Sequence, residues 1–146
     1  MDSMNVYLSG EIHSDWREQI IERCQSLAVT FSGPITDHEA SDGCGEVILG
    51  TEVDSFWKDH KAAKINAIRI RASIEKADVV VVRFGEKYRQ WNAAFDAGYA
   101  AALGKSIITL HDEPLTHALK EVNAVAMASC KTAKQVAEVL TYVLAN

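Results

Sequence analysis

Ala77-Asp78-Val79-Val80-Val81-Val82 is the stretch from which the fold can be read. Its β-branched residues run without polar alternation, so the strand they predict is covered on both faces. Downstream comes a polar loop, Phe84 to Gln90, then an Ala-rich helix from about Trp91 to Leu103. Gly104 stops that helix, and Ser106 to Leu110 forms another buried strand. Upstream, a Lys- and Arg-rich helical segment runs from about Phe56 to Lys76. Strand, helix and strand in this order make a parallel βαβ unit.

The alternation continues to both ends. Val6-Tyr7-Leu8 is a short apolar strand with an exit at Ser9-Gly10. Ser14 offers a cap to a helix reaching about Leu27, with Ile20, Cys24 and Leu27 at helical spacing. Ala28 to Phe31 reads as a second strand, stopped by Ser32-Gly33-Pro34. Pro114 begins a short helix to about Val122, and Ala124 to Ala128 is a weak fifth strand. The last helix spans about Thr132 to Leu144, with Val136, Val139, Leu140 and Val143 on one stripe. The expected fold is a single three-layer α/β/α domain over residues 1–146. Its five-stranded parallel sheet should take the flavodoxin-like order 2-1-3-4-5, with ligands at the carboxyl ends of strands one and three.

Composition narrows the function. The chain has 146 residues, 48% hydrophobic and 24% charged, which suits one folded domain and excludes disordered or low-complexity classes. Net charge is −5 and the pI about 5.5, so no nucleic-acid partner is expected. The longest aliphatic run, Val79 to Val82, is too short for a bilayer, and no membrane partner is expected. Cys24, Cys44 and Cys130 signal neither a disulfide framework nor a CxxC site. MDSMNVYLSG lacks the features of a signal peptide, so a cytoplasmic location is expected.

The stretch from Ile35 to Ser55 shows no clear period and reads as a long loop. It carries six acids and three glycines without a lysine or arginine, and such a loop is often a functional lid. Asp37, His38, Glu39 and Asp42 invite a metal reading, but EF-hand, HExxH and CxxC spacings are absent, so no metal is expected. GxGxxG, the P-loop and GxSxG are absent too, and no cofactor is expected.

Topology brings the loops after strands one, three and four to one edge. Ser9 and Gly10 lie in the first, and Gln90, Trp91 and Asn92 end the second. Asp96, about two turns into the Ala-rich helix, is the leading chemical candidate. A fixed carboxylate there can attack or stabilise a sugar carbon of oxocarbenium character. The plain alternative is an aspartate that answers the helix dipole. Asn92 suits a helix cap, while Trp91 can stack on a base or seal the helix against the sheet. Arg69 and Arg71, two residues apart on a helix, cannot share one face.

Val6-Tyr7-Leu8-Ser9-Gly10, Ala77 to Val81 and Phe95-Asp96-Ala97-Gly98-Tyr99-Ala100 together resemble the nucleoside 2-deoxyribosyltransferase superfamily. The Gly10-Glu11-Ile12-His13-Ser14-Asp15-Trp16 and Phe84-to-Asn92 runs resemble the YtoQ family beside it, over nearly the whole chain. The resemblance implies a catalytic pair: Asp96 as nucleophile, where the transferases carry glutamate, and Tyr7 as its orienter. It implies a nucleoside or nucleotide-like ligand held by Ser9, Gly10, Gln90, Trp91 and Asn92. Gln90 stands where the transferases have an acid, and Arg69-Ile70-Arg71 matches the register of another; an arginine there, with Arg69 as the candidate contact, favours an anionic ligand group. The implied activity is hydrolysis or transfer at an N-glycosidic bond. The alternative is a non-catalytic module binding a similar metabolite. A homodimer is also implied.

Overall fold

The computed structural model describes residues 3–145. Five parallel strands form one sheet: β1 (Met4–Gly10), β2 (Val29–Ser32), β3 (Val79–Phe84), β4 (Ser106–His111) and β5 (Ala128–Cys130). Their order is β2-β1-β3-β4-β5, as expected. Among the described residues six α-helices flank the sheet: α1 (Trp16–Arg23), α2 (His38–Leu49), α3 (Ser55–Lys76), α4 (Trp91–Ala102), α5 (Lys120–Ala124) and α6 (Ala133–Leu144).

Strand alternation divides the valine run between two cores. Val79 and Val81 join Val6, Leu8, Ile108 and Leu110 under α1 and α6, where Trp16, Ile20, Val136 and Leu140 cover them. Val80 and Val82 join Tyr7 and Ile107 on the other face, under Ile74 of α3 and Ala93, Ala97 and Ala100 of α4. The alanines let α4 lie close to the sheet. This is the three-layer arrangement, and it puts the β1 and β3 carboxyl ends side by side, with Ser9 opposite Val82.

The structure corrects four local expectations. The 35–55 stretch is not a long loop, because α2 occupies most of it. Asp37 caps α2 by accepting a hydrogen bond from the Ala40 N–H. No apolar period announced the helix because it packs on α3 through small residues. A Cβ on Gly45 would stand 2.5 Å from the Lys61 Cβ. The short helix read from Pro114 to Val122 is a 3₁₀ turn, Glu113–Leu115, followed separately by α5. The fifth strand lies four residues later than expected, at Ala128–Cys130, and the Met127 N–H already bonds the Ile107 carbonyl. Finally, α1 is capped at Asp15 while the Ser14 hydroxyl donates to Glu11, and Gln90, not Asn92, sits at the α4 cap.

Candidate functional site

β1 and α4 build the centre of the site. Tyr7 and Ser9 lie two residues apart, so they share the α4 face of the sheet. The second turn of α4 carries Asp96 over them. The Ser9 hydroxyl donates to Asp96 Oδ2 at 2.7 Å, and Ser9 is fully buried. Asp96 Oδ1 accepts no hydrogen bond among the described residues. Burial raises the Asp96 pKa above the ordinary aspartate range, and the Ser9 hydrogen bond opposes that shift.

Tyr7 is buried, and its hydroxyl has no hydrogen-bond partner among the described residues. Burial raises its pKa, and the Asp96 charge raises it further, while Arg17 and Arg69 pull it back. The phenol is therefore a neutral donor in need of an acceptor. A buried polar group without a partner is uncommon enough to ask for an explanation.

Asp96 lines a cleft of about 650 Å³ between α4 and the α2–α3 hairpin. Asn92 and Tyr99 share its α4 wall with Asp96. The facing wall presents Asp42 of α2 and Asp59, Asn66 and Arg71 of α3. Asn66 donates to the Ser41 and Ala62 carbonyls, 3.1 and 3.0 Å away, and so ties α2 to α3 beside the cleft.

The residues singled out from sequence fall into two places. Asp96, Ser9, Tyr7 and Asn92 gather at the cleft or directly beneath it. Gln90 and Trp91 line a separate hollow of about 560 Å³, between the β3–α4 loop and the segment Leu115–Leu119. Gln90 Oε1 accepts the Gly85 N–H at 2.9 Å, so its amide closes that loop. Arg69 donates to the Gly33 carbonyl at 3.1 Å, and Arg71 is the arginine that lines the cleft. The close approach at Gly10 is to backbone: a Cβ there would stand 2.2 Å from the Arg83 carbonyl oxygen. Asp59, Asn66 and Tyr99 were missed, while Arg71 is the arginine that sequence spacing sets on a different helical face from Arg69. Asp59, Ala63, Asn66 and Ile70 follow an i, i+4, i+7, i+11 spacing, a single helical face that could have been read.

The opposite face of the sheet holds the β1 exit in place. Arg17 is buried and donates to the carbonyls of Leu8 at 3.1 Å, Gly10 at 3.0 Å and Glu11 at 2.7 Å. Trp16 Nε1 also donates to the Glu11 carbonyl. Among the described residues, no three His, Cys, Asp or Glu side chains gather as a metal site. His38 of the acidic stretch pairs with Asp42 at 3.0 Å. No described helix is long and apolar enough to cross a membrane.

These features define a class: a three-layer α/β protein with a hydrogen-bonded carboxylate near the sheet's switch point, above a buried tyrosine. Residues 7–144 match the family model described as "Nucleoside 2-deoxyribosyltransferase YtoQ", and the chain belongs to that family. It is 47% identical over 139 residues to the Bacillus subtilis (strain 168) "uncharacterized protein YtoQ", covering 94% of each chain. Solved structures share the fold at much lower identity. A conserved protein from Enterococcus faecalis V583 matches with a TM-score of 0.66 and 14% identity, over 97% of this chain and 99% of that one. A 2-deoxyribosyltransferase from Bacillus psychrosaccharolyticus matches at 0.57 and 16% identity, over 91% and 90%. The CMP N-glycosidase BcmB of Clostridium botulinum matches at 0.50 and 14% identity, over 96% and 99%.

Proposed function

We propose that this protein cleaves an N-glycosidic bond in a nucleoside or nucleotide-like substrate, as a hydrolase or a deoxyribosyltransferase, with Asp96 as nucleophile. The observation that carries this reading is the Ser9–Asp96 hydrogen bond at the cleft. Ser9 fixes one carboxylate oxygen and leaves Oδ1 to the ligand. Membership of a family described by deoxyribosyl transfer supports the same chemistry.

In this mechanism, Oδ1 attacks the anomeric carbon as the carbon–nitrogen bond to the base breaks. The bonding pair leaves with the base nitrogen, which takes a proton from water or from an acid on the facing wall, Asp42 or Asp59. Water then opens the glycosyl ester in a hydrolase, or a second base does so in a transferase. Partial burial keeps bulk water off the carboxylate, which strengthens its interaction with positive charge developing on the sugar. The Tyr7 hydroxyl donates to the carboxylate or to a sugar oxygen once ligand fills the cleft. The three free cysteines fit a reducing, cytoplasmic setting.

A panel of nucleosides and nucleoside monophosphates, with free base measured by chromatography, tests the reading. Base release by the native protein that disappears in Asp96→Ala supports it. Turnover that persists in Asp96→Ala refutes the nucleophile. Ligand binding without turnover across the panel replaces catalysis with a binding module that uses the same cleft.

A further inference from the structure

Asn66 is held so that its oxygen, and not its nitrogen, is free for a ligand. It lies on the face of α3 that walls the Asp96 cleft, in helical phase with Asp59. The Nδ2 group has two hydrogens, and backbone acceptors engage both. One is the Ser41 carbonyl of α2 at 3.1 Å, the other the Ala62 carbonyl of α3 at 3.0 Å. The Ser41 hydroxyl at 3.3 Å and Cys44 Sγ at 3.7 Å also lie within reach of Nδ2. Turning the amide over would set its oxygen against two carbonyl oxygens, so the α2–α3 contact fixes its orientation. Oδ1 accepts no hydrogen bond among the described residues, yet it is not sealed from solvent. The half-buried side chain therefore presents an acceptor and no donor.

We infer that Asn66 selects the base, so that the cleft takes nucleosides of cytosine or adenine over those of uracil or hypoxanthine. The inference rests on the proposed reading that a nucleoside fills the cleft. Cytosine and adenine carry an exocyclic amino group, which points an N–H at a fixed acceptor. Uracil and hypoxanthine carry a carbonyl in its place, which would point an oxygen at an oxygen. In uracil the donor left on that edge is the ring N–H, set between two carbonyls that crowd the Asn66 oxygen. An asparagine free to rotate would serve either kind of base. Here rotation forfeits two bonds to backbone carbonyls, and a polar site discriminates when its groups cannot turn to suit the wrong ligand.

The rest of the wall agrees with this choice. Asp59 adds carboxylate oxygens, which accept, on the same helical face. Arg71 is the cation among the residues lining the cleft. It lies about 7–8 Å further along α3 and about 140° away in helical phase, so it meets a different part of the ligand.

Equilibrium dialysis with the Asp96→Ala variant separates binding from turnover. It compares cytidine with uridine and adenosine with inosine, each also as the 2′-deoxyriboside. The amino member of each pair is expected to bind at least about 10-fold more tightly, the size of one good polar contact set against one mismatched one. Asn66→Ala in the same background is expected to bring the two members to within about 2-fold of each other, since no oriented acceptor remains. A merely structural role would weaken both members alike and leave the ratio standing, which overturns the inference. Equal binding of amino and carbonyl members, a preference for the carbonyl member, or no binding by any of the nucleosides overturns it too. If Asn66→Ala does not fold, the preference measured with the native Asn66 decides alone. The two readings fail apart. An amino preference in binding, with no base release by the native protein, retires the chemistry and supports the inference. Equal base release from both members of a pair keeps the chemistry and overturns the inference.

Discussion

Gly10→Ala perturbs the floor of the site at one atom. Gly10 closes β1 with φ +108°, a backbone conformation that L side chains rarely adopt. The added Cβ would stand 2.2 Å from the Arg83 carbonyl oxygen and 2.9 Å from its nitrogen. Both are backbone atoms of the neighbouring strand, so neither can rotate away. Relief requires Gly10 to change conformation or the strand ends to part, which breaks the 3.1 Å bond from the Glu11 N–H to the Arg83 carbonyl. Backbone strain of about 1–3 kcal/mol and a lost hydrogen bond of about 1 kcal/mol set the expected cost at roughly 2–4 kcal/mol. At roughly 3 °C per kcal/mol for a chain of this size, Tm should fall by about 6–12 °C. Gly98→Ala is the control. Gly98 lies inside α4 with open space where a Cβ would go, so alanine should stabilise by about 0.5–1 kcal/mol. Thermal and urea unfolding followed by circular dichroism measure both. A Gly10→Ala loss below about 1 kcal/mol, or the same sign for both variants, would refute the reasoning.

Two further predictions concern the carboxylate. Burial raises the Asp96 pKa in the folded protein, so the protonated form contributes stability that is present at low pH and lost as pH rises through the folded value. Asp96→Asn removes that loss. It should be more stable than the native protein at pH 7.5, with the advantage vanishing below the ordinary aspartate value of 3.8, as urea midpoints at pH 7.5 and 3 would report. Equal midpoints at pH 7.5 would count against a desolvated charge. Ser9→Ala deletes the hydrogen bond that lowers the Asp96 pKa, so the acidic limb of any base-release profile should move to higher pH. A limb that stays in place would show that Ser9 does not tune the carboxylate.

The parts of the fold that were legible in sequence are those that bury apolar side chains at a fixed period. Val79 to Val82 announced a strand covered on both faces, and its residues fill both cores. Helix α2 was illegible because it packs through Gly45 and small neighbours, which leave no apolar stripe. β5 was misplaced because only three residues pair, and the apolar Val125 and Met127 before it are exposed. At the site, Asp96 was reached through its place after β3 and through family resemblance, but the partners of α4 required helix phase. Asn92, Asp96 and Tyr99 recur at i, i+4 and i+7 and face the cleft, while Trp91 and Ala94 line the other hollow. That phase lies in the sequence. The facing wall does not, because it depends on where α2 settles on α3.

The position of Ser9 follows from constraints on both faces of β1. From the α1 side, the buried Arg17 guanidinium binds the carbonyls of Leu8, Gly10 and Glu11, which bracket Ser9 in sequence. Burial lowers the Arg17 pKa, opposed by the nearby Tyr7 and Glu11. Three carbonyl acceptors and the face of Trp16, 4.4 Å from its guanidinium carbon, offset that desolvation. On the α4 side, the hydroxyl meets Asp96 at 2.7 Å. Gly10 allows the backbone between these contacts to close against Arg83. A donor on a fully buried strand end thus holds one Asp96 carboxylate oxygen where the side chain lines the cleft.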